Sequence, residues 1–139
     1  MANQQALSWR GETLSLKASI FASHNLLAVY LLAIGLNSCV FYLFPSGYYD
    51  HNVNLVFSLT CFGLLPLTRI DKLFSPLVHL ASLLCVMLVT YVALYSGGVN
   101  STVLVWLNLV SLPVLMLRGP LAALQWIGFV LLVIFGVYL

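Results

Sequence analysis

The stretch RIDKLFSPLVHLASLLCVMLVTYVALY runs from Arg69 to Tyr95, and its three charged residues, Arg69, Asp71 and Lys72, lie among its first four positions. The 23 residues that follow carry no Asp, Glu, Lys or Arg. A helix needs about 20 largely apolar residues to cross a bilayer. The stretch therefore predicts one membrane-spanning helix with a charged end on one side.

The whole chain shares this character. Of its 139 residues, 63% are apolar and 6% are charged, which is too little charge to cover a water-soluble globule. Together with the first, four further apolar runs predict five helices, at about 18–44, 53–68, 73–95, 101–118 and 121–139. The predicted fold class is all-α: a polytopic membrane helical bundle, with residues 18–139 forming a five-helix transmembrane domain.

The basic residues predict the orientation of these helices. All five lie just outside the apolar runs: Arg10, Lys17, Arg69, Lys72 and Arg118. Basic residues are retained on the cytoplasmic side, and one alternating topology places all five there. We expect a multi-pass protein of the bacterial inner membrane with its N terminus in the cytoplasm and its C terminus outside.

Residues 1–17 precede the first predicted span. Trp9 and Arg10, with Lys17 nearby, are typical of a short segment that lies in the cytoplasmic interface of a membrane. A disordered tail is the alternative.

The helices also suggest an internal repeat. Each pair combines a long outward helix, a Ser-Gly turn and a short returning helix with proline near its basic end. The matching positions, at offsets of 47 to 50 residues, are Ser46 with Ser96, Pro66 with Pro113, and Arg69 with Arg118. The sequence thus predicts two and a half hairpin repeats, with helix five as the unclosed half.

The link between the last two helices is expected to be tight. Gly119 suits the position after a helix end, where the backbone is often left-handed. Pro120 suits the first position of a helix, where no hydrogen bond from its nitrogen is needed.

Three polar residues are candidates for contacts with a ligand or cofactor near the cytoplasmic ends of their helices. His24, His79 and Gln125 each lie five or six residues into a span and are expected to form one layer. Two facing imidazoles can bind a haem or another tetrapyrrole axially, or respond to protons. The alternative is a pair of interhelical hydrogen bonds, or rings tipped toward the lipid headgroups.

A second polar group lies nearer the outer face. Asn37 and Asn108 are its candidate ligand contacts, and its other members are Ser38, Asn54, Ser58, Thr90 and Ser111. Such side chains line a pocket or hold helices together. Proline kinks near Pro66 and Pro113 are expected to open space for a small ligand.

The predicted spans contain none of the residue patterns that most enzyme active sites require. The acids Glu12, Asp50 and Asp71 all lie outside the predicted spans, and Asp71 is expected to cap helix three or pair with Lys72. The three cysteines lack the spacing of a metal site and are interpreted as packing residues. We expect no catalytic residues, no metal site and no nucleic-acid partner.

One stretch resembles a known family. The run Tyr95-Ser96-Gly97-Gly98-Val99-Asn100-Ser101, followed by Trp106-Leu107 and Leu117-Arg118-Gly119, resembles the amino-terminal membrane sensor module of bacterial histidine kinases and diguanylate cyclases. In that family six helices typically precede a cytoplasmic signalling domain. The resemblance implies a sensory input module that binds a small apolar ligand within its helix bundle.

This chain departs from the family in having five predicted helices and no catalytic region. It is then either a truncated module or a fold put to another use. The alternative function is an accessory subunit of a larger photosynthetic or respiratory membrane complex, in contact with pigment, haem or quinone. The expected partners are the lipid bilayer and either other membrane subunits or further copies of this chain.

Overall fold

The computed structural model describes residues 2–43, 51–95 and 107–138, and their side chains except at 2–18, 51, 108–109 and 137–138. This part of the chain is entirely helical, without a strand. Its elements are α1 (Ala2–Leu43), α2 (His51–Leu64), a 3₁₀ helix (Leu65–Arg69), α3 (Asp71–Tyr95), α4 (Leu107–Arg118) and α5 (Pro120–Tyr138). The prediction of an all-α fold with five helices is confirmed.

Two helices are long and apolar enough to cross a membrane, judged by length and composition. They are Ser19–Leu43 within α1 and Asp71–Tyr95, each of 25 residues, and α5 adds a shorter apolar stretch, Pro120–Gly136. Large apolar side chains are exposed on all five α-helices, among them Leu36, Val56, Met87, Met116 and Leu132. Helices that are apolar on all sides suit a lipid environment.

Helix α1 is longer than its apolar run. It begins at Ala2, so the predicted helix start near Ala18 is wrong, although the apolar segment does begin at Ser19. Residues 2–17 are rich in Ala, Gln and Leu, which favour helix, so the polar segment continues the helix instead of breaking it. Residues 2–17 are therefore helical, and their predicted position at the interface stays a prediction.

The returning segment of the first helical hairpin consists of an α-helix followed by a 3₁₀ helix. The α-helix predicted to reach Thr68 ends at Leu64, and Pro66 lies in the first turn of the 3₁₀ helix, where its missing N–H costs little. The 14 residues of α2 span about 21 Å, and the five 3₁₀ residues add about 10 Å. Together they approach the roughly 30 Å of a hydrocarbon core.

Helix α3 begins two residues earlier than predicted, at Asp71. The carbonyl of Ile70 accepts a hydrogen bond of 2.9 Å from the backbone N–H of Leu73, and Ile70 itself donates to Leu67 at 3.1 Å. Asp71 therefore lies in the first turn of α3, where a negative charge stabilises the helix N-terminus. The capping position, which was predicted for Asp71, is occupied by Ile70.

The tight link before α5 is confirmed. Gly119 has a φ of 87°, a left-handed backbone angle that favours glycine, and its N–H donates to Leu115 at 3.0 Å. Pro120 is the first residue of α5. Arg118 ends α4, as Arg69 ends the 3₁₀ helix, so the basic ends of the two proposed repeats agree. The Ser-Gly turns at 46–47 and 96–97 lie outside the described residues.

The main core joins α1, α2, α3 and α4. Leu27 and Leu31 of α1, Cys61 of α2, Val78 of α3 and Val114 of α4 are fully buried within it. A smaller cluster attaches α5: Val130 packs with Val86, Leu107 and Val110.

Helices α1 and α2 pack closely through small and hydroxyl-bearing residues. A Cβ at Gly35 would lie 3.1 Å from Cε1 of Phe62. The Ser58 hydroxyl donates to the Gly35 carbonyl at 3.0 Å, and the Ser38 hydroxyl donates to the Asn54 carbonyl at 2.7 Å. Each helix thus donates one hydroxyl to the backbone of the other, so these two serines of the outer polar group hold helices together.

Candidate functional site

A cavity of about 520 Å³ lies between α1, α3 and α4. Tyr30, Ala33, Asn37 and Phe41 line it from α1, and their spacing of three or four residues places them on one helical face. Helix α3 lines it with a similar face around Val89, and α4 with residues that include Pro113. Small-molecule sites typically enclose about 300–1,000 Å³, so this volume is sufficient for a ligand.

The lining of this cavity is apolar and uncharged. Most of its described lining residues are aliphatic, and none of them is charged. Tyr30, Asn37 and Cys85 supply its polar atoms. Such a lining suits an apolar molecule with few hydrogen-bonding groups.

The hydroxyl of Tyr30 is buried and has no hydrogen-bond partner. Ser82 and Cys85 are close enough to interact with it, but neither lies in the geometry of a normal hydrogen bond to it. The Ser82 hydroxyl instead donates to the carbonyl of Val78 at 2.9 Å. An unpaired buried hydroxyl costs about 1–3 kcal/mol, which a ligand with an acceptor atom can recover.

His79 and Gln125 lie together, in an outward-facing groove between α3 and α5. The indole Nε1–H of Trp126 donates to Nδ1 of His79 at 3.0 Å, and the two rings are nearly parallel, with centroids 6.2 Å apart. Leu80, Leu83 and Phe129 complete the groove, which measures about 520 Å³. Part of the predicted polar layer is therefore assembled, with Trp126 as a member that sequence reasoning missed.

The hydrogen bond from Trp126 determines which ring nitrogen of a neutral His79 carries the proton. A neutral imidazole has one donor and one acceptor nitrogen, so when Nδ1 accepts from Trp126, Nε2 carries the proton. Neither nitrogen then offers a free lone pair. In this arrangement His79 is a hydrogen-bond acceptor for Trp126 rather than a ligand for iron.

His24 lies apart from that groove, between α1 and the turn that leads into α3. Its Nδ1 is hydrogen-bonded to the carbonyl oxygen of Thr68, and its Nε2 lies 3.1 Å from Oδ1 of Asp71. The ring also contacts Phe74, with centroids 4.7 Å apart. Each ring nitrogen of His24 therefore lies within hydrogen-bonding distance of an oxygen atom.

The two histidines therefore serve different pairs of elements. His24 joins α1 to the start of α3, and His79 joins α3 to α5. Both nitrogens of His24 are engaged, as is Nδ1 of His79. Interhelical contacts, the alternative to tetrapyrrole binding, account for both residues.

The same turn makes a second contact with α1. The guanidinium of Arg69 lies 5.6 Å from the centre of the Phe21 ring, which is a cation–π geometry. Asp71, expected to cap α3 or pair with Lys72, instead has its Oδ1 3.1 Å from Nε2 of His24. The sequence reasoning missed this pairing because it considered only neighbours along the chain.

The remaining candidate residues are spread over the molecule. Asn37 lines the cavity, while the side chains of Asn108, Arg10 and Lys17 lie outside the described ones. Tyr30 was missed, although it precedes Asn37 by seven residues and so shares its helical face. That spacing is the signal that identifies it.

No metal site is present in the described part of the chain. No three side chains among its His, Cys, Asp and Glu residues lie close enough together to hold an ion. Cys39, Cys61 and Cys85 are free thiols within helices.

No family model, curated protein or solved structure matches the chain. The resemblance to bacterial sensor modules therefore stays a prediction. Most of the loop that carries it, residues 96–106, lies outside the described residues.

Proposed function

We propose that this chain is a non-enzymatic integral membrane protein that crosses the bilayer with five helices and binds a small apolar molecule between α1, α3 and α4. The observation that carries the proposal is the uncharged cavity of about 520 Å³ between these helices. A molecule that fits one arrangement of the three helices better than another shifts the bundle toward that arrangement. Such a shift is what a sensory input module requires.

The proposed topology places the N terminus in the cytoplasm of a bacterial cell and the C terminus outside. It is supported by the two helices of spanning length, the exposed apolar side chains and the basic residues at the helix ends. The combined length of α2 and the 3₁₀ helix also fits a crossing.

Single cysteines test this topology after Cys39, Cys61 and Cys85 are replaced by alanine. In intact cells, a membrane-impermeant maleimide should label Asn100→Cys in a predicted outer loop. It should leave Ile70→Cys unlabelled until the cells are opened. Labelling of Ile70→Cys in intact cells contradicts the proposed orientation.

Native mass spectrometry tests the ligand site on protein released from mild detergent. Wild-type protein should retain a small molecule, and Val89→Phe, which fills the cavity, should lose it. Val56→Phe is the matched control, because Val56 is 62% exposed on α2 and lies outside the cavity. Absence of any bound molecule, or equal retention by both variants, counts against the ligand site.

The same preparation addresses the accessory-subunit alternative. The outward-facing groove at His79, Trp126 and Gln125 is a candidate binding site for a partner helix, on a face that is otherwise apolar. A partner protein recovered in fixed stoichiometry, and lost on Leu83→Arg in that groove, favours the accessory subunit.

A further inference from the structure

We infer that the molecule bound between α1, α3 and α4 is uncharged and carries an acceptor oxygen, such as the carbonyl of a ketone, quinone or ester, that receives a hydrogen bond from Tyr30. This inference rests on the proposed ligand site and specifies the chemistry of its occupant. Two independent features of the cavity support it.

The first feature is the absence of charge. No Lys, Arg, His, Asp or Glu occurs among the described residues of the lining. A charged group moved from water into an apolar site needs a counter-charge or several hydrogen bonds to compensate its lost hydration. The cavity offers neither, so its occupant is neutral.

The second feature is the state of the Tyr30 hydroxyl. Tyr30 lines the cavity, and its buried hydroxyl has no partner. Ser82, which donates to Val78 of its own helix, and Cys85, whose thiol is a weak acceptor, are its polar neighbours, and neither lies in hydrogen-bonding geometry with the Tyr30 hydroxyl. A molecule in the cavity can supply the missing acceptor, and a carbonyl oxygen is a strong one that brings no charge.

The cavity also leaves room for an apolar body beyond that hydrogen bond. From Tyr30 to Phe41 its α1 face extends over 11 residues, or about 16 Å along the helix axis. Between these two positions the α1 wall is mainly aliphatic, with Asn37 as its other polar side chain. The occupant is thus an apolar molecule with its acceptor beside Tyr30.

Benzophenone is a suitable probe because it is neutral, apolar and has one carbonyl. On irradiation, its excited carbonyl abstracts a hydrogen atom from a nearby C–H bond. The two carbon radicals then combine, so that the probe carbon bonds to the protein and the carbonyl becomes an alcohol. Peptide mass spectrometry of the labelled protein in lipid nanodiscs locates the site.

In wild-type protein, labelling should saturate at cavity residues, including those around Val89. Diphenylmethane has the same skeleton without the carbonyl. In a competition experiment with deuterium-labelled benzophenone as the probe, the diphenylmethane concentration that halves labelling should be at least about tenfold higher than that of unlabelled benzophenone. Tyr30→Phe should raise the half-saturating concentration about tenfold, which is the effect of losing roughly one good hydrogen bond. Tyr42→Phe, on the same helix but outside the cavity, should leave it unchanged.

A charged analogue of the probe tests whether the occupant is neutral. 4-Benzoylbenzoate carries the same photoreactive group with a carboxylate, and it should show no saturable labelling of the cavity at neutral pH. Saturable labelling by this anion overturns the neutral-ligand inference. Equal half-saturation in wild type and Tyr30→Phe, or equal competition by diphenylmethane, overturns the role of Tyr30.

Failure of the ligand site itself gives a different result. In that case benzophenone labels no cavity residue saturably in wild-type protein, or labels Val89→Phe as well as wild type. Thermal unfolding of each variant in the same detergent shows whether it has folded.

Discussion

The indole of Trp126 donates a hydrogen bond of 3.0 Å to Nδ1 of His79, across the contact between α3 and α5. The two rings are nearly parallel, with an interplanar angle of 14°, and Phe129 packs edge-on against the indole. This group joins α3 to α5.

Replacing His79 by Phe should destabilise the attachment of α5, because the indole N–H loses its acceptor while ring packing is kept. We expect a loss of about 1–3 kcal/mol in the free energy of unfolding, measured by thermal denaturation in detergent. His79→Gln retains an acceptor oxygen and should recover part of this loss. Equal stability of the Phe and Gln variants contradicts a role for the hydrogen bond.

Added haemin should give no spectrum of haem ligated by His24 or His79 in the purified protein. Both nitrogens of His24 and Nδ1 of His79 are already engaged, and the remaining nitrogen of His79 carries a proton. The measurement is the visible absorption spectrum during titration with haemin. A shifted Soret band that disappears in His24→Gln or His79→Gln would show that the cofactor displaces these contacts.

The two contacts of His24 should contribute unequally to stability. His24→Ala leaves the Thr68 carbonyl without its partner in a buried setting, and we expect a loss of about 1–3 kcal/mol. Asp71 is 86% exposed, so Asp71→Asn should cost about 1 kcal/mol or less.

A double-mutant cycle between His24→Ala and Asp71→Asn, followed by thermal unfolding, isolates the coupling between them. The expected coupling is below about 1 kcal/mol and decreases at high salt, because exposed ion pairs are screened. A larger effect of Asp71→Asn than of His24→Ala contradicts this ranking.

Gly35→Leu should separate α1 from α2. Even a Cβ at this position would lie 3.1 Å from the Phe62 ring and 3.2 Å from the Cβ of Cys61. Overpacking of this kind typically costs about 1–3 kcal/mol, and here it would also weaken the hydrogen bond from Ser58.

Gly63→Leu is the matched control for this substitution. Gly63 lies in α2, and a Cβ there would meet no atom within 4 Å. Its thermal unfolding in detergent should remain close to that of wild type. If Gly35→Leu and Gly63→Leu unfold alike, close packing at Gly35 is not important for stability.

Local chemistry made several elements predictable from sequence. The end of α3 at Tyr95 follows from the length of an apolar run, and the turn at Gly119 and Pro120 follows from the backbone preferences of these residues. The start of α1 and the end of α2 were placed wrongly. Helix-forming polar residues extend α1 beyond its apolar run, and α2 changes to a 3₁₀ helix near Pro66 within an apolar run. Hydrophobicity alone marks neither boundary.

The candidate sites were less predictable. His79 and Gln125 were expected in one layer and share a groove, whereas His24 was expected there and instead contacts Asp71. Depth along a helix can be counted from its charged end. The direction in which a side chain points around the helix cannot be counted in this way when all faces of the helix are apolar.

Hydrophobic run length and composition are therefore enough to establish an all-helical chain with spanning-length segments, because each depends on neighbouring residues. The partners of the histidines and the unpaired hydroxyl of Tyr30 emerge only in the packed bundle. His24 meets Thr68 across 44 residues of chain, and His79 meets Trp126 across 47. Such contacts depend on how each helix is rotated, and rotation is set by the mutual packing of faces that are nearly alike in hydrophobicity.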